Sequence, residues 1–210
     1  FRFFMSIQIL LIVACTLVMI SHQYFDSSWQ DFEQVVFQAV SISTTTGYTT
    51  SNFAEWPSFV PMLLIIASFI GGCAGSVGGG LRVARILVLY LQGARELKRF
   101  VHPNLVYPIK WGKNVLDERV IGSIWAFFSA YLLVFTICLL SVIACGVAPF
   151  DAFNAVLASI NNLGPGLGSV NSNMTAMPDS AKWILTIAMV CGRLEIFTLL
   201  ALFTPAFWKE

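Results

Sequence analysis

The sequence has 210 residues, of which 57% are hydrophobic and 11% are charged, whereas soluble domains typically carry about 25% charged residues. A chain this apolar cannot bury its apolar side chains in a water-facing globule, so the composition indicates an integral membrane protein and excludes soluble enzymes, coiled coils and disordered regulators. Its 12 basic and 11 acidic residues give a net charge of +1, which gives no sign of nucleic-acid binding.

Apolar stretches in chain order predict the membrane segments, since a spanning helix needs roughly 20 apolar residues. Two further stretches, 32–43 and 150–160, are too short to span and are typical of re-entrant helices. The predicted spans are residues 3–20, residues 57–70 resuming as 81–92 after a glycine-rich interruption, residues 121–145 and residues 183–207.

Charge sets the orientation, because basic residues are enriched in cytoplasmic loops. Segment 93–119 and both ends are therefore predicted to be cytoplasmic, and the re-entrant helices to enter from the outer side. The basic residues that lie between the second and third spans are Arg82, Arg85, Arg95, Lys98, Arg99, Lys110, Lys113 and Arg119.

The order of span, re-entrant helix, glycine-bearing polar loop and span occurs twice. Both re-entrant stretches open with phenylalanine and an acid, and Ser41-Ile42 and Ser159-Ile160 lie at the same depth in them. Such repetition argues against coincidence. We divide the chain into a first unit at residues 1–100, a connector at 101–117 and a second unit at 118–210.

The polar loops after the re-entrant helices are the candidate ion site. Non-helical backbone at membrane depth must be buried in protein or line a water-filled path, and the negative C-terminal end of a helix favours a cation there. A run of carbonyls can replace the hydration shell of such a cation, and glycine permits the backbone angles that this requires. The alternative is an ordinary polar loop. The candidate residues are Thr44, Thr45, Thr46, Gly47 and Tyr48 in the first loop and Asn162, Leu163, Gly164, Pro165 and Gly166 in the second.

The interruption of the second span, at residues 71–80, holds six glycines and is interpreted as an unwound stretch that lines the path and acts as a gate. Close helix packing through small residues is an alternative. A phosphate loop is disfavoured, because no Lys-Ser/Thr follows the glycines. The glycines are Gly71, Gly72, Gly75, Gly78, Gly79 and Gly80.

Arg193 lies near the middle of the predicted span 183–207, where a charged side chain costs roughly 2.5–3.5 kcal/mol and usually faces a bundle interior or an aqueous cavity. We expect it to project into the path beneath the candidate ion site and to hydrogen-bond carbonyls of the 71–80 loop. The alternative is a buried arginine paired with Glu195 or another acid.

These motifs together resemble a known family. The loops at 43–50 and 161–168 resemble the third and fourth filter loops of bacterial TrkH/TrkG-type potassium-uptake proteins, which belong to the Trk/Ktr/HKT superfamily. The 71–80 break resembles the intramembrane gating loop of that family. The stretch 192–195 resembles the charged part of its last helix.

The resemblance implies an all-α membrane fold with four repeats of span, pore helix and span around a central potassium path. This chain is similar to the C-terminal half, so a filter needs the N-terminal half as well. The resemblance also implies a homodimer in the bacterial inner membrane and a cytoplasmic TrkA-type ring of nucleotide-binding subunits. The resemblance further implies potassium as the transported ion, membrane lipid around the protein and no organic cofactor in this chain.

The second loop departs from the threonine pattern. Gly47 corresponds either to Gly164 or to Gly166, and in both cases that quadrant lacks threonine hydroxyls. We therefore expect modest discrimination between potassium, rubidium and sodium.

Two other functions compete with a cation pore. An intramembrane serine hydrolase would use Ser76, but His22 and His102 lie at the wrong depth to serve as its base. A non-conducting membrane scaffold gives no reason for repeated polar loops, and it would tolerate Gly47→Ser.

Overall fold

The computed structural model describes residues 2–24, 29–73, 79–102, 107–111, 114–164, 166, 167, 170 and 173–194. Within these ranges the chain is helical apart from a short hairpin and loops. The elements are α1 Arg2–Ser21, α2 Trp29–Ser43, α3 Phe59–Ser68, α4 Val83–Val101, β1 Lys110–Trp111, β2 Asn114–Val115, α5 Glu118–Ala144, α6 Pro149–Ile160 and α7 Asp179–Arg193.

Helices α1 and α5 are long and apolar enough to cross a membrane. Their apolar side chains largely face outward: Leu10 is 71% exposed and Leu133 is 60% exposed. Exposed apolar surface on this scale is stable in lipid or against other protein, and it would be unfavourable in water. The predicted all-helical membrane fold is confirmed.

The first unit packs α1, α2 and α3 against one another. The re-entrant helix α2 carries Asp31 in its first turn, where a carboxylate is favoured by the helix dipole. At its other end, the Ser43 hydroxyl donates a 2.8 Å hydrogen bond to Oε1 of Gln8 on α1. Both residues are buried, so this bond fixes the end of α2 against the first span.

The second unit repeats this packing with α5, α6 and α7. Pro149 begins α6, where its missing N–H is no loss, and Asp151 lies in the first turn. The end of α6 is again bonded to the first helix of its unit, because Tyr131 on α5 donates to the side chain of Asn161 at 2.7 Å.

The predicted interruption of the second span is observed. Helix α3 ends at Ser68 and α4 begins at Val83, and the described residues at the two ends of this interruption are hydrogen-bonded to each other. The amide of Leu81 donates to the Phe69 carbonyl at 3.0 Å, and the amide of Val83 donates to the Gly72 carbonyl at 3.2 Å. The break therefore has a closed base, which holds α3 and α4 in a fixed relation.

The last predicted span is covered only in part by the described residues. Helix α7 runs from Asp179 to Arg193, so Arg193 is the final residue of this helix, and its place near the middle of a span to residue 207 stays a prediction. Leu194 follows as a non-helical cap, and residues 195–210 lie outside the described part of the chain.

Candidate functional site

The first polar loop begins where α2 ends. Thr45 has a φ of 57° and Gly47 a φ of 81°, so the chain enters the left-handed region twice within three residues. The amides of Thr46 and Gly47 both point back to the Ser41 carbonyl, at 2.9 and 3.4 Å. A threonine in this conformation is uncommon and strained, which is typical of functional sites.

This turn leaves carbonyl groups available. Among the described residues, the carbonyls of Thr44, Thr45 and Thr46 accept no backbone or side-chain hydrogen bond. In the same part of the chain no group of three His, Cys, Asp or Glu side chains could hold a metal ion. The carbonyl and hydroxyl oxygens of this loop are the candidate ligands for a cation.

Two side chains of α2 tie the outgoing part of the first loop to the helix. The Ser41 hydroxyl donates to the Tyr48 carbonyl at 2.6 Å, and Nε2 of Gln38 donates to the Ser51 carbonyl at 3.0 Å. Gln38 is fully buried and Ser41 nearly so, so the donors of both bonds lie in the interior, whereas the acceptors belong to more exposed loop residues. The loop is consequently held as an extended segment running back along α2.

The second loop repeats the backbone geometry of the first. Asn162 has a φ of 52° and Gly164 a φ of 94°. The amide of Asn162 donates to the Ser159 carbonyl at 3.0 Å and that of Leu163 to the Ala158 carbonyl at 2.9 Å, which is the pattern that Thr45 and Thr46 make with Ile42 and Ser41.

The backbone thus pairs Gly47 with Gly164, Thr45 with Asn162 and Thr46 with Leu163. This correspondence makes the predicted alignment of Ser41-Ile42 with Ser159-Ile160 wrong by one residue: Ser41 corresponds to Ala158. The shared Ser-Ile dipeptide favoured pairing Ser41 with Ser159. The backbone hydrogen bonds at the ends of α2 and α6 instead pair Ser41 with Ala158.

The side chains of the second loop point away from an open path. Leu163 is buried in the hydrophobic core, and Nδ2 of Asn162 donates to the Met189 carbonyl of α7 at 3.1 Å. The Leu163 side chain and Nδ2 of Asn162 are thus both engaged within the protein. Gly166 donates its amide to the Val170 carbonyl at 3.2 Å, and Pro165 lies outside the described residues.

The side chains of the first loop are divided between interior and surface. Thr46 and Tyr48 are exposed, and Tyr48 is 71% exposed. The hydroxyl oxygen of Thr45 is buried and has no hydrogen-bond partner among the described residues. A buried polar atom without a partner is unfavourable unless something outside the chain satisfies it.

The glycine-rich break contacts the second loop. Gly71 and Gly80 have φ values of 66° and 80°, and their Cα atoms face each other across its closed base. A Cβ atom on Gly79 would lie 1.9 Å from the Asn161 carbonyl oxygen. The structure therefore brings Gly79 onto the end of α6, while Gly75, Gly78 and Ser76 lie outside the described residues.

At the end of α7, Arg193 is exposed, and its predicted partner Glu195 lies outside the described residues. The preceding residue, Gly192, packs against α6: a Cβ atom there would lie 1.8 Å from the Ile160 carbonyl oxygen. A glycine of the break, Gly79, and a glycine of α7, Gly192, thus hold the end of α6 by direct contact with its backbone.

Sequence reasoning missed the polar residues behind the second loop. Nδ2 of Asn161 donates to the Ser68 hydroxyl at 3.0 Å, and Asn161 also accepts from Tyr131. The sequence offers two signals for this contact, the serine at the end of the apolar stretch and the pair of adjacent asparagines. It does not show that they meet, because Ser68 and Asn161 are 93 positions apart.

On the predicted cytoplasmic side, α4 is joined to α5 by an ion pair. Arg95 is 4% exposed and donates two hydrogen bonds to the Glu118 carboxylate, one of them at 3.1 Å. These bonds raise the pKa of Arg95 above its ordinary value, so the guanidinium stays charged. Nearer to the glycine-rich break, Cζ of Arg85 lies 4.0 Å from the centroid of the Phe127 ring.

Comparison with known proteins is consistent with this geometry. The family described as "TrkH: Cation transport protein" matches residues 4–210 of the chain. Over 210 residues the chain is 56% identical to the Trk system potassium uptake protein TrkH of Vibrio parahaemolyticus serotype O3:K6 (strain RIMD 2210633). This match covers 100% of the chain and 43% of that protein. It is 34% identical over 205 residues to the Trk system potassium uptake protein TrkG of Escherichia coli (strain K12), with 96% and 42% covered.

A solved structure, the crystal structure of the potassium transporter TrkH from Vibrio parahaemolyticus, matches with a TM-score of 0.93 at 56% identity. The match covers 99% of the chain and 44% of the solved one. The chain therefore spans less than half the length of these relatives.

Proposed function

The chain belongs to the TrkH family of cation transport proteins, and from this membership we propose that it supplies two of four repeats of a gated, channel-like pore for potassium uptake. The family is a transport family and not an enzyme family. The proposed location is a bacterial inner membrane, with the loops open to the outer side and segment 93–119 in the cytoplasm.

The observation that carries this proposal is the matching backbone of the two loops. Each begins at the C-terminal end of a short helix, enters the left-handed region at Thr45 or Asn162, and does so again at Gly47 or Gly164. The negative ends of the helices and the available carbonyls favour a partly dehydrated cation. A scaffold has no need for this conformation.

The proposed filter comprises Thr44, Thr45, Thr46, Gly47 and Tyr48 with residues 162–166 of the second loop. In the second loop the proposed contribution comes mainly from the backbone, because the Leu163 side chain is buried and Nδ2 of Asn162 is bonded to α7. That quadrant has no threonine hydroxyls. This supports an asymmetric filter with modest discrimination between potassium, rubidium and sodium.

The proposed gate is the break at residues 71–80 together with Arg193. The observed interruption between α3 and α4 supports an element that lines the path below the filter, since irregular backbone at membrane depth is tolerated where it lines a cavity. A positive charge beneath the filter would oppose resting cation flux.

A complete pore needs further protein. We propose that the N-terminal half of the same protein supplies the other two repeats, and that the whole protein forms a homodimer bearing a TrkA-type nucleotide-binding ring. The exposed apolar faces of α1 and α5 support contact with lipid or with those repeats. The division into units at 1–100 and 118–210 with a connector is part of this proposal.

The test is Gly47→Ser in the whole protein that contains this chain, expressed in a bacterium without other potassium uptake. A serine at a φ of 81° is strained and would displace the carbonyls on either side. We expect potassium-dependent growth to collapse or uptake to become sodium-permeable. Gly146→Ser is the matched control, because Gly146 has a similar φ of 88° with nothing within 4 Å of an added Cβ.

A change in ion preference in Gly47→Ser and not in Gly146→Ser would support the filter. Equal behaviour of the two variants at equal protein amounts would reject it and leave a non-conducting scaffold as the better explanation.

A further inference from the structure

We infer that Asn161 is a positioning residue that couples the glycine-rich break to ion discrimination, through the hydrogen-bond chain Tyr131–Asn161–Ser68. The inference rests on the function proposed above and adds a role for residues that do not belong to the proposed filter. Its basis is a set of buried contacts that joins the second loop to the first unit.

The chain of hydrogen bonds has a single direction. The Tyr131 hydroxyl donates to Oδ1 of Asn161 at 2.7 Å, Nδ2 of Asn161 donates to the Ser68 hydroxyl at 3.0 Å, and that hydroxyl donates to the Ile65 carbonyl at 2.6 Å. Asn161 and Ser68 are fully buried and Tyr131 is nearly so. Removing one member leaves a buried polar group unpaired, so the chain acts as a unit.

The two ends of this chain lie in different units. Tyr131 belongs to α5, whereas Ser68 is the last residue of α3, directly before the break. Asn161 follows the last residue of α6 and precedes Asn162, the left-handed residue of the second loop. One side chain therefore touches both the start of the break and the start of the loop.

A second contact on the same residue comes from the far side of the break. Gly79 approaches the Asn161 carbonyl so closely that no side chain fits between them. Ser68 precedes the break and Gly79 lies near its end, so Asn161 contacts the chain on both sides of the break. A displacement of the break must either rupture these contacts or move the start of the second loop.

The first loop has a different arrangement at the corresponding position. The Thr44 hydroxyl donates to the Val40 carbonyl within its own helix at 2.7 Å. In the described residues the bonded link to the break is thus found on the second loop, which is also the loop that lacks threonine hydroxyls. We therefore expect the break to act on ion discrimination through the second loop.

The experiment uses Ser68→Ala, Tyr131→Phe and the double variant in the whole protein, with the ratio of potassium to sodium uptake as the readout. A net hydrogen bond of about 1 kcal/mol corresponds to roughly a fivefold change, so each single variant should lower the ratio about threefold to tenfold. The double variant should fall no further than the lower single variant, because both act through Asn161. A residue with a merely structural role would lower protein amount and leave this ratio unchanged.

The control variants carry the same Ser→Ala and Tyr→Phe substitutions at residues that make no hydrogen bond to Asn161. Ser141→Ala removes a hydroxyl that bonds its own helix at Ile137, and Tyr90→Phe removes an exposed hydroxyl on α4. Unchanged ratios in Ser68→Ala and Tyr131→Phe would overturn the inference, as would additive effects in the double variant. If Ser68→Ala fails to accumulate, Tyr131→Phe alone decides, since it preserves the shape of the ring.

Failure of this inference is distinguishable from failure of the proposed function. If Gly47→Ser alters uptake while Tyr131→Phe and Ser68→Ala do not alter the ratio, the filter stands and the coupling is rejected. If Gly47→Ser behaves like Gly146→Ser, the proposed function itself is rejected.

Discussion

The hydroxyl of Ser41 lies 2.6 Å from the carbonyl oxygen of Tyr48 and donates a hydrogen bond to it. Because Ser41 also accepts the amides of Thr46 and Gly47 at its carbonyl, one residue of α2 holds both the start and the end of the first turn. The position of the loop is thereby determined by a helix whose own packing is rigid.

Ser41→Ala should loosen the first loop while leaving α2 intact. The lost bond is worth about 0.5–1.5 kcal/mol, so we expect the potassium-to-sodium uptake ratio to fall by roughly twofold to tenfold. The measurement is uptake of both ions in cells that express equal amounts of protein. Thr186→Ala serves as the control, since its exposed hydroxyl bonds only Lys182 in the same helix among the described residues. Equal ratios in the two variants would show that the Ser41 bond does not shape the filter.

Gly79→Ala should destabilise the contact between the two units. The added methyl would overlap main-chain atoms of Asn161, which no side-chain rotation can relieve, and overpacking of this kind typically costs about 1–3 kcal/mol. We expect a lower melting temperature in detergent and weaker potassium uptake. Gly93→Ala is the matched control, because nothing lies within 4 Å of its added Cβ and an interior helix position gains up to about 1 kcal/mol. A Gly79→Ala protein as stable and active as Gly93→Ala would mean that the break does not rest on α6.

Arg193→Ala should raise potassium flux. The structure has Arg193 as an exposed residue at the end of α7, directly after the glycine that packs on α6. If its charge opposes cations in the path, removal should increase flux several-fold in the resting state. Arg119→Ala, at the exposed start of α5, controls for general loss of basic charge. Unchanged or lower flux at normal protein levels would argue against a role for Arg193 in the gate.

Glu118→Gln should destabilise the protein more than Glu96→Gln does. Arg95 is buried and its two hydrogen bonds go to the exposed carboxylate of Glu118, so loss of that carboxylate removes two charge-assisted hydrogen bonds from a buried guanidinium. Glu96 lies 3.5 Å from Nε of Arg95 and makes no hydrogen bond to it among the described residues. Thermal unfolding of the two variants in detergent measures the difference. Equal melting temperatures would show that the α4–α5 junction does not depend on this pair.

Much of the fold was predictable because apolar length and glycine content are local properties. The re-entrant stretches predicted at 32–43 and 150–160 appear as α2 and α6, which differ from the prediction by one to three residues at their starts. The break at 71–80 likewise follows from its glycines. The predicted continuation of the last span to residue 207 lies outside the described residues.

The register of the second loop could not be read from sequence. Gly164 and Gly166 are equivalent letters, and the choice depends on Asn162 taking the left-handed conformation, which asparagine tolerates better than most residues do. The Asn161–Ser68 bond was also inaccessible, since it depends on how two separate units pack.

The two partners of the Asn161–Ser68 hydrogen bond are synthesised at different times. Ser68 precedes Asn161 by 93 residues, so at about 5–20 residues per second α3 leaves the ribosome on the order of 5–20 s before α6 does. Asn161 thus enters a membrane in which its acceptor has already been inserted, and its polar side chain need not wait unpaired in hydrocarbon. A circular permutant that presents the second unit first would reverse this order and expose the amide for the whole interval.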